Sequence, residues 1–193
     1  MADSLSGKKI AIIATDGVEQ VELVQPRQAV EAAGAQTELL SVQEGDIQAM
    51  NHDLEPADTF TVDKLITNAS PSDYDGLILP GGTVNADKLR AQEDVVNFIV
   101  QYFKSGKPAG AICHAPWELV EADLVRGRTL TSFPSLKTDI RNAGGEWVDR
   151  EVVVDQGLVT SRSPDDLPAF KDKIIEEFAE GKHEVASAGA TAS

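Results

Sequence analysis

The feature that most constrains this chain is an alternation of short apolar runs with longer segments of helical period. The runs are KIAIIA (9–14), QTELLSV (36–42), GLILP (76–80) and AGAIC (109–113). The helical segments include residues 18–33, 94–105 and 116–122. Short buried runs separated in this way build strand-helix-strand units around a mainly parallel sheet. Pro26 falls inside the first helical segment and is expected to kink it, because proline brings no amide to continue the ladder. Gly34 and Gly106 stand where helices would be capped.

Between residues 45 and 67 the pattern changes. TFTVDKLI alternates like a strand but is surrounded by acidic and turn-prone residues, which predicts a small antiparallel excursion. Further on, EVVVDQGLVTS (151–161) reads as a hairpin turning at Asp155, Gln156 and Gly157. SPDD (163–166) then supplies a serine cap, a proline at the first helical position and an acid, so a last helix should run to about Glu180. Residues 1–8 and 182–193 are small, polar and aperiodic. Both ends are expected to fray, leaving one domain over residues 9–181.

A chain of 193 residues, 41% of them hydrophobic, can bury one sizeable core. Its formal charge of −15 repels phosphate backbones, and its Lys and Arg residues are scattered, so nucleic-acid binding is disfavoured. The apolar runs are too short to cross a bilayer. One cysteine cannot form an internal disulfide, and no charged-then-apolar segment opens the sequence; a cytoplasmic setting is expected.

In a doubly wound sheet, ligands bind beyond the carboxyl ends of the strands. The residues there are TDGVEQVE (15–22), PGGTVNAD (80–87), and the pair Cys113 and His114. If those strands are neighbours, Glu19, Glu22, Gly81, Gly82, Cys113 and His114 share one crevice. A cysteine between a strand and a helix would lie near free helix N-terminal amides, which favour the thiolate. Gly81 and Gly82, with the His114 amide, could point donors at a developing oxyanion.

Each residue also has a plainer reading. Cys113 could be an inert core residue and His114 a structural histidine. Glu19 and Glu22 could be first-turn acids complementing the helix dipole, and PGG an ordinary turn. Histidines at 52, 114 and 183 with a single cysteine give no metal-ligand spacing, and nucleotide-binding and serine-hydrolase motifs are missing. Thiol chemistry of this kind needs neither metal nor cofactor.

Taken in order, KIAIIATDGVEQVELVQP, YDGLILPGG, LR, GKPAGAICHAPWEL, RGRTLTS and NAGGEWVDREVVVDQGLVTSRSPDDLPAF closely resemble the ThiJ/PfpI superfamily, in its intracellular peptidase or general stress branch. The resemblance spans about residues 8–180. It implies an α/β, flavodoxin-like doubly wound sandwich with helices on both faces of the sheet, and Cys113 on a strained turn like the nucleophile elbow of class I glutamine amidotransferases. Glu22 matches the acid that hydrogen-bonds the cysteine sulfur, and Glu19 another acid common in this branch. His114 matches the histidine beside the nucleophile, which in PfpI-like peptidases an acid of a neighbouring subunit orients; Asp87 is the candidate for that acid. A homodimer or a larger ring is therefore implied. Two departures stand out: Ala115 where glycine is common, and a segment after PGG one residue longer, with Asp87 where glutamate is frequent.

The resemblance implies a cysteine-dependent hydrolase of glycated side chains, such as methylglyoxal adducts, or of peptides. The rival is a stress protein whose cysteine is oxidised to a sulfinic acid beside Glu22 without turnover. An amidotransferase fits poorly, since the only later histidine is His183 in the tail.

Overall fold

Ile10 and Ile12 point to one side of the first strand and Ala11 and Ile13 to the other, and all four are fully buried. A strand apolar on both faces needs a layer of helices on each. The computed structural model, which describes residues 4–182, supplies them. Strand β1 (Lys9–Ile13) leads through the two-residue β2 (Val18–Glu19) into α1 (Gln20–Ala32), which returns to β3 (Gln36–Ser41). A hairpin of β4 (Asp46–Asn51) and β5 (Glu55–Thr61) follows, then the edge strand β6 (Lys64–Leu65) and β7 (Gly76–Leu79). Helices α2 (Thr83–Arg90) and α3 (Glu93–Lys104) lead to β8 (Ala109–Ile112) and α4 (Pro116–Glu121). The chain closes with β9 (Thr129–Leu130), α5 (Lys137–Asn142), β10 (Glu146–Trp147), β11 (Val153–Asp155), β12 (Leu158–Ser161) and α6 (Leu167–Glu180).

The main sheet has the order β11-β12-β8-β7-β1-β3-β6, parallel except for β11. It is the α/β, flavodoxin-like sandwich expected. On one face Ile10, Ile12, Leu39, Ile78 and Ile112 pack against Leu23 and Val30 of α1 and Phe170, Ile174 and Phe178 of α6. On the other, Ala11, Ile13, Leu77, Leu79 and Ala111 meet Phe98, Ile99 and Tyr102 of α3, Leu119 of α4 and Ile140 of α5. Truncating a buried phenylalanine such as Phe178 would cost about 3–5 kcal/mol.

Several local expectations hold. The excursion is antiparallel, β4 with β5, and it pairs with β2 in a separate sheet. The late hairpin turns at Gln156 and Gly157. Gly34 and Gly106 each stand one residue beyond a helix cap.

Others need correction. Val18 and Glu19 are strand, not helix, because they pair with Ala49 and Met50 before α1 begins. The helix that carries Pro26 begins only at Gln20 and continues to Ala32, although Pro26 has no amide for the Glu22 carbonyl four residues back. Ser163 makes no side-chain cap; a 3-10 turn at Pro164–Asp166 precedes α6, and Asp166 accepts the Arg162 amide and its guanidinium Nε at 3.0 and 2.8 Å instead. The described part of the leading segment is also packed rather than frayed. Leu5 is buried and its amide donates to the Ala33 carbonyl at 2.8 Å, an apolar anchor that a polar composition conceals. Residues 183–193, including His183, lie outside the described residues.

The sheet order decides where a site can form. β7 lies between β1 and β8, so the three segments singled out after those strands meet at one edge.

Candidate active site

Cys113 follows β8 directly and has φ of +63°, the left-handed region that a β-carbon makes unfavourable by about 1–2 kcal/mol. Two backbone bonds hold it there. Its amide donates to the Ser161 carbonyl of β12 at 3.0 Å, and its carbonyl accepts the Phe133 amide at 2.8 Å. The bend ends β8, and α4 starts three residues later. Strain held in this way by the surrounding structure is a mark of functional turns.

Cys113 is only 6% exposed. His114 Nδ1 lies 3.2 Å from its sulfur, and the Gly82 amide donates to the sulfur. The helix beyond is a six-residue turn and a half, so the expected stabilisation of a thiolate is outweighed. Burial pushes the thiol pKa well up, and the charge of Glu22 adds to the effect while the Gly82 amide opposes it. Burial and the Glu22 charge both favour the protonated thiol over the thiolate.

Glu22, fully buried on the first turn of α1, lies across Gly81 from the thiol. Its Oε2 accepts the Gly81 amide at 2.8 Å, while Oε1 has no hydrogen-bond partner among the described residues. Burial raises its pKa to about 8, against the opposing Gly81 bond. At neutral pH the carboxyl is therefore mostly protonated and can donate a hydrogen bond. Gly81 has no room for a side chain, since a Cβ there would press on Glu22 Oε2 and stand 2.7 Å from the Cys113 Cβ. Gly82 has φ of +93°, and a Cβ on it would come within 2.7 Å of the Glu19 amide.

These contacts correct the expected oxyanion donors. The Gly81 amide is committed to Glu22, and Gly82 faces the sulfur. The His114 amide has no acceptor among the described residues and stays open to a ligand. Glu19 does not face the sulfur either. Its carboxylate accepts the amides of His52 and Asp53 at 3.0 and 3.1 Å, pinning the β4–β5 turn, where both residues have positive φ. Asp87 on α2 is bound to Arg90 at 2.8 Å with its side chain 62% exposed, and makes no contact with His114 of its own chain.

His114 is 5% exposed, stacked on Phe133 at 4.6 Å, with Trp117 edge-on at 5.3 Å. Burial lowers its pKa, with the charge of Asp53 opposing, which favours the neutral ring, the form that can accept a proton. Its Nε2 lies 3.3 Å from the Thr83 hydroxyl and 3.5 Å from that of Ser135. Thr83 is bonded to Asp53 through its amide at 2.7 Å and its hydroxyl at 2.9 Å. Asn85 ties the crevice floor together: it accepts the Thr15 amide at 2.8 Å and donates to the carbonyls of Pro80 and Gly81 at 3.0 Å. Sequence reasoning missed Asp53, Thr83 and Asn85. The available signal was their position, two just after PGG and one in the turn after β4.

The chain that carries this site matches a known family model over residues 8–177, described as the DJ-1/PfpI family. The chain belongs to the DJ-1/PfpI family. Within it, the chain is 42% identical over 170 residues to a protein of Escherichia coli K12 named protein/nucleic acid deglycase 2, covering 87% of this chain and 96% of that protein. It is 38% identical over 168 residues to the putative cysteine protease YraA of Bacillus subtilis, covering 87% and 96%. Among solved structures, Schizosaccharomyces pombe DJ-1 shares the fold with a TM-score of 0.78 at 22% identity, over 93% of each chain.

Proposed function

We propose that this protein is a stress-protective, cysteine-dependent hydrolase of glycated side chains of the methylglyoxal type, or of peptides. The observation that carries the reading is the 3.2 Å approach of His114 Nδ1 to Cys113 Sγ on a turn with φ of +63°. A buried thiol is a poor nucleophile unless a base takes its proton, and His114 is in reach.

In the first step the Sγ lone pair forms a bond to the substrate carbonyl carbon, the thiol proton moves to His114 Nδ1, and the carbonyl π pair moves onto oxygen. The His114 amide, which has no acceptor among the described residues, is the backbone donor left for that oxyanion. The protonated Glu22 carboxyl adds a further donor beside the sulfur. When the oxyanion collapses in a peptide, the C–N bond breaks and the proton on His114 passes to the leaving nitrogen. Water then releases the acyl group from sulfur. Deglycase and putative cysteine protease among the relatives' names support both substrate classes.

Oxidation without turnover requires a populated thiolate. Cys113-dependent turnover separates the hydrolase from that alternative. The deciding assay follows loss of methylglyoxal-modified N-acetylarginine and of a fluorogenic peptide. Wild type should consume one of them and Cys113→Ala neither, with unchanged circular dichroism. Equal rates for the two proteins, or none for either substrate, would overturn the proposal.

A further inference from the structure

A histidine acts as base at Nδ1 only if its one proton sits on Nε2, so something on the Nε2 side must accept that proton's hydrogen bond. The structure puts Thr83 Oγ1 there, at 3.3 Å. A hydroxyl has one proton to give, and the Thr83 hydroxyl gives it to Asp53 Oδ2 at 2.9 Å. Asp53 Oδ1 meanwhile accepts the Thr83 amide at 2.7 Å, so both carboxylate oxygens act as acceptors. With its proton committed to Asp53, the Thr83 oxygen is left as an acceptor for Nε2–H. The polarity of the chain Asp53, Thr83, His114, Cys113 is thereby fixed from end to end. The Asp53 end is itself held, since Glu19 fixes the turn in which His52 and Asp53 have φ of +53° and +62°.

We propose that Asp53, acting through the Thr83 hydroxyl, is the positioning residue that holds His114 as the Nε2–H tautomer, and that the acid completing this site belongs to the same chain. The inference rests on the hydrolase reading for its kinetic consequence, but the tautomer does not. Ser135, 3.5 Å from Nε2, is the weaker neighbour. Replacing Asp53 with asparagine reverses the polarity. The Asn oxygen can keep the Thr83 amide, so its NH2 faces the hydroxyl, which must then donate to His114 Nε2 and drive the ring proton to Nδ1.

The test is nitrogen NMR of the ring nitrogens in 15N-histidine-labelled full-length protein, with His114 assigned by comparison with His114→Gln, alongside steady-state kinetics. Wild type should show a bare Nδ1 and a protonated Nε2. Asp53→Asn and Thr83→Val should move the proton to Nδ1 and lower kcat about 10²-fold with KM little changed. Thr83→Ser should restore both. A wild-type ring protonated at Nδ1, or a Thr83→Val protein with wild-type tautomer, overturns the relay even if Cys113-dependent turnover is intact. The expected tautomer changes in a protein that turns over no substrate support the relay and sink the hydrolase reading instead.

Discussion

The Gly81 amide donates to Glu22 Oε2 at 2.8 Å while the Gly81 α-carbon fills the gap between that oxygen and the Cys113 side chain. A methyl group at residue 81 must displace the acid, the thiol or the backbone of the loop. Gly81→Ala should therefore destabilise the protein by about 1–3 kcal/mol, the usual cost of overpacking. Hydrolysis should fall more than stability alone explains, because the displaced groups are the reacting ones. Urea unfolding and turnover at a temperature where the variant is fully folded measure the two effects. Wild-type kinetics in Gly81→Ala would show that this close approach is not needed for function.

Glu22 makes stability depend on pH in a defined direction. Its pKa is raised by burial from an ordinary 4.5 to about 8 in the folded chain. Below 4.5 the carboxyl is protonated in both folded and unfolded chains and exacts no penalty. Between 4.5 and 8 the unfolded chain releases the proton and the folded one keeps it, so its contribution to stability falls by about 1.4 kcal/mol per pH unit. Above 8 the loss is complete. Glu22→Gln removes this titration while other groups titrate in both proteins. The urea midpoint of Glu22→Gln should gain on that of wild type between pH 5 and 8. Parallel curves would mean that Glu22 is ionised at neutral pH.

The sequence exposes the frame of this site better than its electrostatics. Apolar runs such as GLILP and AGAIC announce strands buried on both faces, and once β7 lies between β1 and β8 the convergence of Glu22, Gly81 and Cys113 follows. Asp53 and Thr83 are hidden because they meet across 30 residues, Asp53 in a turn where aspartate is commonplace and Thr83 in what reads as loop. The amide of Gly81 is legible as a donor but not as one already taken by Glu22. The direction of the Cys113 shift escapes a sequence reading for a related reason. A helix N-terminus can be recognised in a sequence, whereas the burial of the sulfur depends on loops brought in from three other strands.

The strain at Cys113 can be separated from its chemistry. Alanine keeps a β-carbon at φ of +63°, whereas glycine adopts that conformation freely. Both substitutions abolish attack by sulfur. Cys113→Gly should be more stable than Cys113→Ala by about 1 kcal/mol, although glycine ordinarily lowers stability through the unfolded chain. Paired denaturant titrations give the difference. If Cys113→Ala is the more stable of the two, the elbow is relaxed in solution.

Glu118, on α4 one turn beyond the elbow, is fully buried and neither carboxyl oxygen has a hydrogen-bond partner among the described residues. Burial alone pushes its pKa well above the ordinary carboxyl range and so favours the protonated carboxyl in the folded chain. Its sign is that of Glu22: stability falls as pH rises above the unfolded value. Unlike Glu22 it makes no hydrogen bond to the groups assigned to the reaction, so its burial is a cost to stability. Glu118→Met keeps a similar volume and removes the buried polar atoms. It should stabilise the protein at pH 7 by on the order of 1–3 kcal/mol, with less gain at pH 5. Thermal unfolding at the two pH values measures this. A destabilised Glu118→Met would mean that the carboxyl has a partner in solution, such as a buried water.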